Sequence, residues 1–237
     1  LTAARVDASL CPRSDAPTTL AFVTLSNGQA SYDFYDENTA GRMLAPADLP
    51  DLAGRASALF LGGISLVSEP CADSFAALCA REHATLPVML DPNIRPGFIR
   101  DEARYRARLA GMLTQADVIK LSDEDLDWLA TTPEALLQGG AALVLITRGA
   151  EGVSSYGAAG RFDVPAQRAT VVDTVGAGDT FNAGFLAGLA RDGLLDKARL
   201  RAAGPDALRP ALALGTQARG PSPSLAPVPT LPWEHEL

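Results

Sequence analysis

Short apolar runs that alternate with helix-like segments are the feature that most constrains the fold of this chain. Four such runs occur: ALFLGGI (58–64), LPVML (86–90), DVIKL (117–121) and ALVLIT (142–147). Three segments with helical spacing of apolar residues lie between them: 70–83, 101–113 and 123–130. Nearly continuous apolar strands that alternate with helices are typical of a parallel sheet covered on both faces. We therefore predict an α/β fold around a mostly parallel sheet.

Two further segments carry the alternation of β-hairpins. Residues 18–36 alternate around Asn27-Gly28, a dipeptide favoured in two-residue hairpin turns. Residues 153–164 are a second hairpin-like stretch, and a long apolar helix is predicted over 177–191. The end of the chain holds five prolines, which exclude regular helix or central strand and predict an extended strap or a tail.

Composition and charge exclude several classes of partner. The 237 residues carry a formal net charge of −8, which argues against a nucleic acid or an anionic membrane as the main partner. No apolar run approaches the length of a membrane span, and no signal segment opens the chain. The three cysteines form no C-x-x-C pair, which favours buried, reduced thiols and a cytoplasmic location.

Polar residues follow each of the central apolar runs. They fall in three groups: Asp91, Asn93 and Arg95; Lys120, Ser122, Asp123 and Asp125; Thr147, Arg148, Gly149 and Gly152. Ligands of open parallel sheets bind outside the carboxyl ends of the strands. The sequence therefore predicts that these groups, together with residues 173–179, converge on one crevice.

The stretch DTVGAGDTFNAG, residues 173–184, places a carboxylate among glycines where a helix begins. The N–H groups of Gly176, Ala177 and Gly178 at a helix start would form an anion hole, aided by the helix dipole. Asp179 would then face a second reactant, and would accept the proton of an alcohol that attacks phosphorus. Neither G-x-x-x-x-G-K-[ST] nor G-x-G-x-x-G occurs, which excludes Walker and Rossmann phosphate sites.

Structural alternatives stay open for each of these residues. Asp179 could cap the helix, and the acidic run 123–127 could be a helix start rather than a metal site. Lys120 could extend along apolar surface to solvent, and Arg148 could be a solvated loop cation. Tyr32 could stack on a ligand or pack within the hairpin.

The motif Asp173-Thr174-x-Gly176-Ala177-Gly178-Asp179 resembles that of the ribokinase-like, phosphofructokinase-B type carbohydrate kinases. DPNIRP and TRGAEG also resemble segments of this family, and 91–97 with the hairpin 18–36 look most similar to bacterial fructokinases and 2-keto-3-deoxygluconate kinases. The resemblance implies a three-layer α/β/α sandwich with a β-hairpin lid. It divides the chain into 1–45, a partial lid and remnant of an N-terminal region, and 46–237, the nucleotide- and substrate-binding core.

The family further implies ATP, Mg²⁺ and transfer of the γ-phosphate to a sugar hydroxyl, with Asp179 as the base and 176–178 as the anion hole. The positions implied for nucleotide and phosphate are Asn93, Lys120, Thr147, Arg148, Gly149 and Gly152. Arg95 and Tyr32 are assigned to the sugar. The family's N-x-x-E metal motif falls at 122–125, where Ser122 and Asp125 replace Asn and Glu, and Asp125 is the candidate Mg²⁺ ligand.

Two departures from the family pattern leave other functions open. The opening strand and the glycine pair that grips the sugar are not found, and the segment beyond Gly215 differs from the usual end of the adenine pocket. The leading hypothesis is a fructokinase, followed by a 2-keto-3-deoxygluconate kinase or another sugar kinase. A nucleotide-binding module without catalysis is the alternative from another class, and a dinucleotide oxidoreductase is a distant third. A homodimer through the hairpin lid is also expected from the resemblance.

Overall fold

The computed structural model describes residues 6–26, 29–166 and 176–217, and for 23–33 it describes the backbone alone. Eight strands are described: β1 Leu20–Ser26, β2 Gln29–Tyr35, β3 Leu59–Gly62, β4 Val88–Asp91, β5 Val118–Ser122, β6 Leu143–Thr147, β7 Val153–Gly157 and β8 Gly160–Val164. The helices are α1 Cys71–Glu82, α2 Glu102–Gln115, α3 Asp123–Leu129, α4 Pro133–Gln138, α5 Ala177–Arg191, α6 Lys197–Ala202 and α7 Pro205–Gln217.

Strands β3 to β8 form one six-stranded sheet in the order of the sequence. The pairs from β3 to β6 are parallel, whereas β6–β7 and β7–β8 are antiparallel. This arrangement confirms the predicted mostly parallel sheet and the second hairpin. Strands β1 and β2 form a separate antiparallel pair, in register from Leu20 opposite Tyr35 to Ser26 opposite Gln29. The predicted turn residues Asn27 and Gly28 lie outside the described residues.

Two hydrophobic cores lie on opposite faces of the sheet, which makes the molecule three-layered. Alternate residues of each strand point to opposite faces, and β5 shows the consequence. Ile119 and Leu121 join the core under α1 to α4, whereas Val118 joins the core under α5 to α7. Lys120 follows Val118 by two residues, so its side chain lies on the same face of the sheet, the one that α5 covers.

Helices α5 and α7 pack closely because small residues line their contact. A Cβ atom on Gly188 would lie 2.5 Å from Ala211 Cα, and one on Gly184 would lie 2.9 Å from Gly215 Cα. The buried side chains of Phe181 and Phe185 fill the space between α5 and the sheet. This contact fixes the direction of α5, the helix that begins within residues 176–179, which we call the GAGD turn. Helices α4, α6 and α7 are not predicted by the sequence analysis.

We expect Gly188→Ala to lower the free energy of unfolding by about 1–3 kcal/mol, because the new methyl group overlaps the backbone of α7. The matched control is Gly111→Ala in α2, an exposed glycine whose Cβ would meet nothing within 4 Å. There alanine should raise stability by about 0.5–1 kcal/mol through helix propensity. Urea denaturation of both variants measures the difference. Equal changes in the free energy of unfolding, with the same sign in both variants, would contradict the close packing of α5 on α7.

Two of the three cysteines are buried on α1, as predicted. Burial raises the pKa of the Cys71 and Cys79 thiols to about 11. Cys11 is exposed, so the prediction of a buried thiol is wrong there, since Cys11 lies before the first strand and outside both cores. Among the described residues, every helix is too short or too polar to cross a lipid bilayer.

Candidate active site

The first turn of α5 places backbone N–H groups, which have no partner within the helix, beside an exposed carboxylate. Gly176 precedes the helix with φ +74°, a left-handed conformation that glycine adopts without strain. Its carbonyl accepts 2.8 Å hydrogen bonds from the backbone N–H and the hydroxyl of Thr180. The N–H groups of the first helical turn have no partner within the helix, and the side chain of Asp179 is exposed beside them. Residues 173–175 lie outside the described residues.

The carboxyl ends of the parallel strands bring the predicted polar groups to one edge of the sheet. Gly62 pairs in register with Asp91, and Ser122 pairs with Thr147. Gly62 is required where it stands, because a Cβ there would lie 2.2 Å from the carbonyl oxygen of Asp91. The polar groups predicted from the sequence follow the carboxyl ends of these strands. They therefore lie along the same edge of the sheet.

Lys120 is buried and forms an ion pair under the GAGD turn. Its side chain is 6% exposed, and its Nζ lies 3.0 Å from Oδ2 of Asp91, which is 5% exposed. Asn182 of α5 donates from Nδ2 to the same Oδ2 at 2.7 Å. The ammonium of Lys120 also lies 3.5 Å from the position that a Cβ of Gly178 would occupy. The alternative in which Lys120 reaches solvent is therefore wrong, because the carboxylate of Asp91 holds its charge inside.

Burial raises the pKa of Asp91 above its ordinary value, although Lys120 and the amide of Asn182 act in the opposite direction. Sequence reasoning missed the role of Asn182. A signal for it exists: Asn182 follows Asp179 by three residues, and is a polar residue on the buried side of an otherwise apolar helix. Polar residues at such positions usually have a specific partner, because an unpaired buried amide is costly.

Asp125 is the third residue of α3 and belongs to the capping box at the start of this helix, whose N-cap is Ser122. Its Oδ2 accepts hydrogen bonds from the backbone N–H and the hydroxyl of Ser122, both at 2.9 Å, and its Oδ1 accepts one from Ile94 N–H at 2.7 Å. Ser122 in return accepts from Asp125 N–H at 3.1 Å, which completes a capping box at the start of α3. The structure thus favours a helix start over a metal site at 123–127. No cluster of three or more His, Cys, Asp or Glu side chains suited to a metal occurs among the described residues.

The loop after β4 carries two of the predicted binding residues. Asn93 is half-buried with φ +44°, a conformation uncommon outside glycine but tolerated by Asn. Arg95 is exposed, and its Nη1 donates to the carbonyl of Ile94 at 3.0 Å. Tyr32 lies in β2 opposite Val23, and its side chain is outside the described part of the structure.

The segment after β6 is held by its own polar contacts. The hydroxyl of Thr147 donates to the carbonyl of Leu121 at 3.3 Å, which ties β6 to β5. Arg148 donates to Ser154 Oγ at 2.5 Å and to Asp123 Oδ1 at 3.4 Å, so it is more than a solvated cation. Gly149 is exposed and Gly152 is buried.

A cavity of about 600 Å³ lies beside the base of the hairpin. Phe34 and Asp36 of the hairpin, Arg42 and the segment 97–98 are among its lining residues. Asp179 and the GAGD turn do not line it. Arg95 precedes Gly97 by two residues, which places the loop after β4 between the cavity and the strand ends.

Comparison with known proteins identifies the family. The sequence pattern of the pfkB family carbohydrate kinases matches residues 1–220. The chain belongs to the pfkB family. It is 52% identical over 215 residues to a fructokinase of Rhizobium leguminosarum bv. trifolii, across 88% of this chain and 66% of that protein. The predicted ribokinase-like family and three-layer fold are thereby confirmed.

Solved fructokinase structures resemble this fold over most of its length. The crystal structure of a Xylella fastidiosa fructokinase with bound ATP matches with a TM-score of 0.76 and 31% identity, across 86% of this chain and 68% of that chain. A Vibrio cholerae O395 fructokinase bound to fructose, ADP and calcium matches with a TM-score of 0.66 and 25% identity, across 84% of this chain and 67% of that chain. The chain spans slightly less than two thirds of the length of the Rhizobium relative.

Proposed function

We propose that this protein is a kinase that transfers the γ-phosphate of ATP to a sugar hydroxyl, with fructose as the substrate. The observation that supports this most directly is the first turn of α5. It combines an exposed carboxylate, Asp179, with backbone N–H groups that have no partner within the helix. The family supports the reaction class, and the fructokinases among the relatives support fructose.

The proposed roles follow from this geometry. Asp179 accepts the proton of the sugar hydroxyl as its oxygen forms a bond to phosphorus and ADP leaves. The amides of Gly176, Ala177 and Gly178 stabilise negative charge on the transferring group, as donors fixed before the reaction starts. General base catalysis of this kind contributes about 10²–10⁴-fold to the rate.

ATP supplies the phosphoryl group, and we assign its binding to residues along the carboxyl edge of the sheet. They are Asn93, Lys120, Thr147, Arg148, Gly149 and Gly152. Lys120 fits this assignment because its buried ammonium lies next to the anion-binding turn. Mg²⁺ typically binds through one or two carboxylates, waters and the phosphates of the substrate. Asp125 does not fit as a ligand, because its side chain is buried and holds the start of α3, with two hydrogen bonds accepted by Oδ2 and one by Oδ1.

We place the sugar on the side of the hairpin. Arg95 lies beside the segment that lines the cavity, and Asp36 and Arg42 supply polar groups to that cavity. Tyr32 is retained as a sugar contact in the lid. A 2-keto-3-deoxygluconate kinase or another sugar kinase remains the second candidate, because the exposed Arg95 could pair with a substrate carboxylate.

The purified protein should release ADP from ATP when fructose is added and not in its absence. A coupled assay with a panel of sugars, including 2-keto-3-deoxygluconate, measures this and ranks the substrates. Isothermal titration with ATP and with fructose separates the alternatives. Heat from ATP alone, without heat from any sugar and without turnover, would contradict the kinase and support a nucleotide-binding module.

Three broader assignments belong to the same proposal. We place the protein in the cytoplasm, on the pattern of its cysteines and the bacterial relatives. The hairpin β1–β2 stands apart from the main sheet, which supports a homodimer that forms through this lid. The division into 1–45 and 46–237 follows the same boundary between the hairpin and the core.

A further inference from the structure

We propose that Asp91 and Asn182 are positioning residues that hold the ammonium of Lys120 beneath the GAGD turn, where it meets the negative charge of the transferring phosphoryl group. The proposal rests on the kinase function proposed above. It assigns a role to two side chains that do not touch the substrate and act through a third.

Three elements contribute one side chain each to this cluster. Asp91 ends β4, Lys120 lies in β5 and Asn182 lies in α5. Because strand residues alternate between faces, Asp91 and Lys120 share the face of Met89 and Val118, which is the face that α5 covers. As whole residues, with their backbone included, all three are at most 5% exposed. The sequence periods of 2.0 and 3.6 thus bring these three polar side chains together inside an apolar layer.

The hydrogen bonds of the cluster converge on a single atom. The ammonium of Lys120 and the amide of Asn182 both approach Oδ2 of Asp91, at 3.0 and 2.7 Å. Oδ1 of Asp91 and Oδ1 of Asn182 are buried without a hydrogen-bond partner among the described residues. A buried ion pair contributes little to stability compared with apolar packing, and unpaired buried oxygens add a cost. Stability alone therefore does not account for this cluster.

The position of the Lys120 ammonium gives a reason for a cluster that is costly to stability. Nζ of Lys120 lies 3.5 Å from the Cβ position of Gly178, which is next to the amino end of α5. The amino end of a helix carries a partial positive charge, so a cation there is unfavourable unless an anion is also present. Asp91 provides part of the compensation, and a bound phosphate provides the rest. Lys120 and the first-turn amides then form one positively charged site. The carboxylate of Asp91 fixes the position of the ammonium within it.

The position of Gly178 shows how close the ammonium lies to the turn. A methyl group at this position would be in ordinary van der Waals contact with Nζ of Lys120, at 3.5 Å. The ammonium therefore packs directly against the first turn of α5.

A double-mutant cycle between Asp91 and Lys120 tests the proposal. We expect Lys120→Met to lower kcat by about 10²-fold, in the range found for removal of one donor to a developing anion. Asp91→Asn, which keeps the shape but removes the charge, should lower kcat by about 10-fold. The double variant should match Lys120→Met alone, because Asp91 acts only through Lys120. Multiplicative losses, or an unchanged kcat in Asp91→Asn, would overturn the proposal.

The chain offers a matched control pair. Its only other lysine, Lys197, pairs with Asp117. The side chain of Asp117 is 3% exposed, and this residue directly precedes β5, the strand that contains Lys120. Lys197→Met and Asp117→Asn remove the same chemistry away from the GAGD turn. They should lower the melting temperature and leave kcat of the folded protein within about 2-fold. A fall in kcat as large as that of Asp91→Asn would show a general structural effect, and would contradict the positioning role.

Binding measurements separate this proposal from the kinase assignment. The same cycle is repeated on the ratio of the dissociation constants for AMP and ATP, by titration calorimetry. Lys120→Met and the double variant should lose the preference for ATP equally, even if the protein phosphorylates no sugar and the kinase assignment fails. A protein that does not bind ATP, or an unchanged ratio in Lys120→Met, would overturn the proposal. If Asp91→Asn does not fold, as judged by circular dichroism, Asn182→Ser replaces it in the cycle with the same expectations.

Discussion

Asp179→Asn should lower kcat by about 10²–10⁴-fold and leave ATP binding within a few-fold of the unchanged protein. The amide keeps the size of the carboxylate and its place beside the first turn of α5 but cannot accept the proton of a sugar hydroxyl. Because the loss concerns the transition state, kcat should change far more than KM for either substrate. Steady-state kinetics with fructose, together with calorimetric titration of ATP, measures both quantities.

A second helix provides the control for this variant. Asp206 is also an exposed acidic residue in a first helical turn, that of α7. If Asp179 served only to favour the helix dipole, Asp179→Asn and Asp206→Asn would both cost about 0.3–1 kcal/mol of stability and nothing in rate. We expect this result for Asp206 alone. An unchanged kcat in Asp179→Asn would remove the catalytic assignment and leave the helix-capping alternative.

The secondary structure nearest the site was the most predictable part of the fold. The predicted helix 177–191 agrees with α5, Ala177–Arg191, and the apolar runs agree with β3 to β6 within a few residues. These segments have strong local signals, since their apolar residues follow one period from end to end. Helix α7 has a weaker signal because Pro210 lies inside it, and its place depends on packing against the glycines of α5.

The partners of the site residues were less predictable than the residues themselves. The motif drew attention to Asp179 and the strand ends to Lys120, but the pairing of Lys120 with Asp91 spans two strands. No local pattern reports such a contact, because it depends on the order of the strands in the sheet. Asp125 shows the opposite case. Its spacing from Ser122 fits both a metal motif and a capping box, and only the hydrogen bonds distinguish the two.

Gly152→Ala should lower the free energy of unfolding by about 2–6 kcal/mol, the second large effect that we expect. Gly152 has φ +101°, which costs an L-residue about 1–3 kcal/mol. A Cβ there would lie 2.2 Å from the carbonyl oxygen of Val164 and 2.6 Å from the N of Ala166, both backbone atoms that cannot turn aside. Overpacking of this kind adds about 1–3 kcal/mol. Thermal and urea denaturation measure the loss.

Gly149 is the matched control in the same loop, and it separates two reasons for glycine at the nucleotide side. It has φ +50°, and a Cβ on it would meet nothing within 4 Å, so Gly149→Ala should cost about 1–2 kcal/mol for the left-handed conformation. If a nucleotide lies against this loop, Gly149→Ala should lower the free energy of ATP binding by more than it lowers the free energy of unfolding. For Gly152→Ala, the loss in free energy of unfolding should exceed any loss in ATP binding, because the clash is with β8 and the residues after it. Similar small losses of stability in both variants would contradict the close approach of Gly152 to Val164, and with it the conclusion that packing against β8 requires glycine at this position.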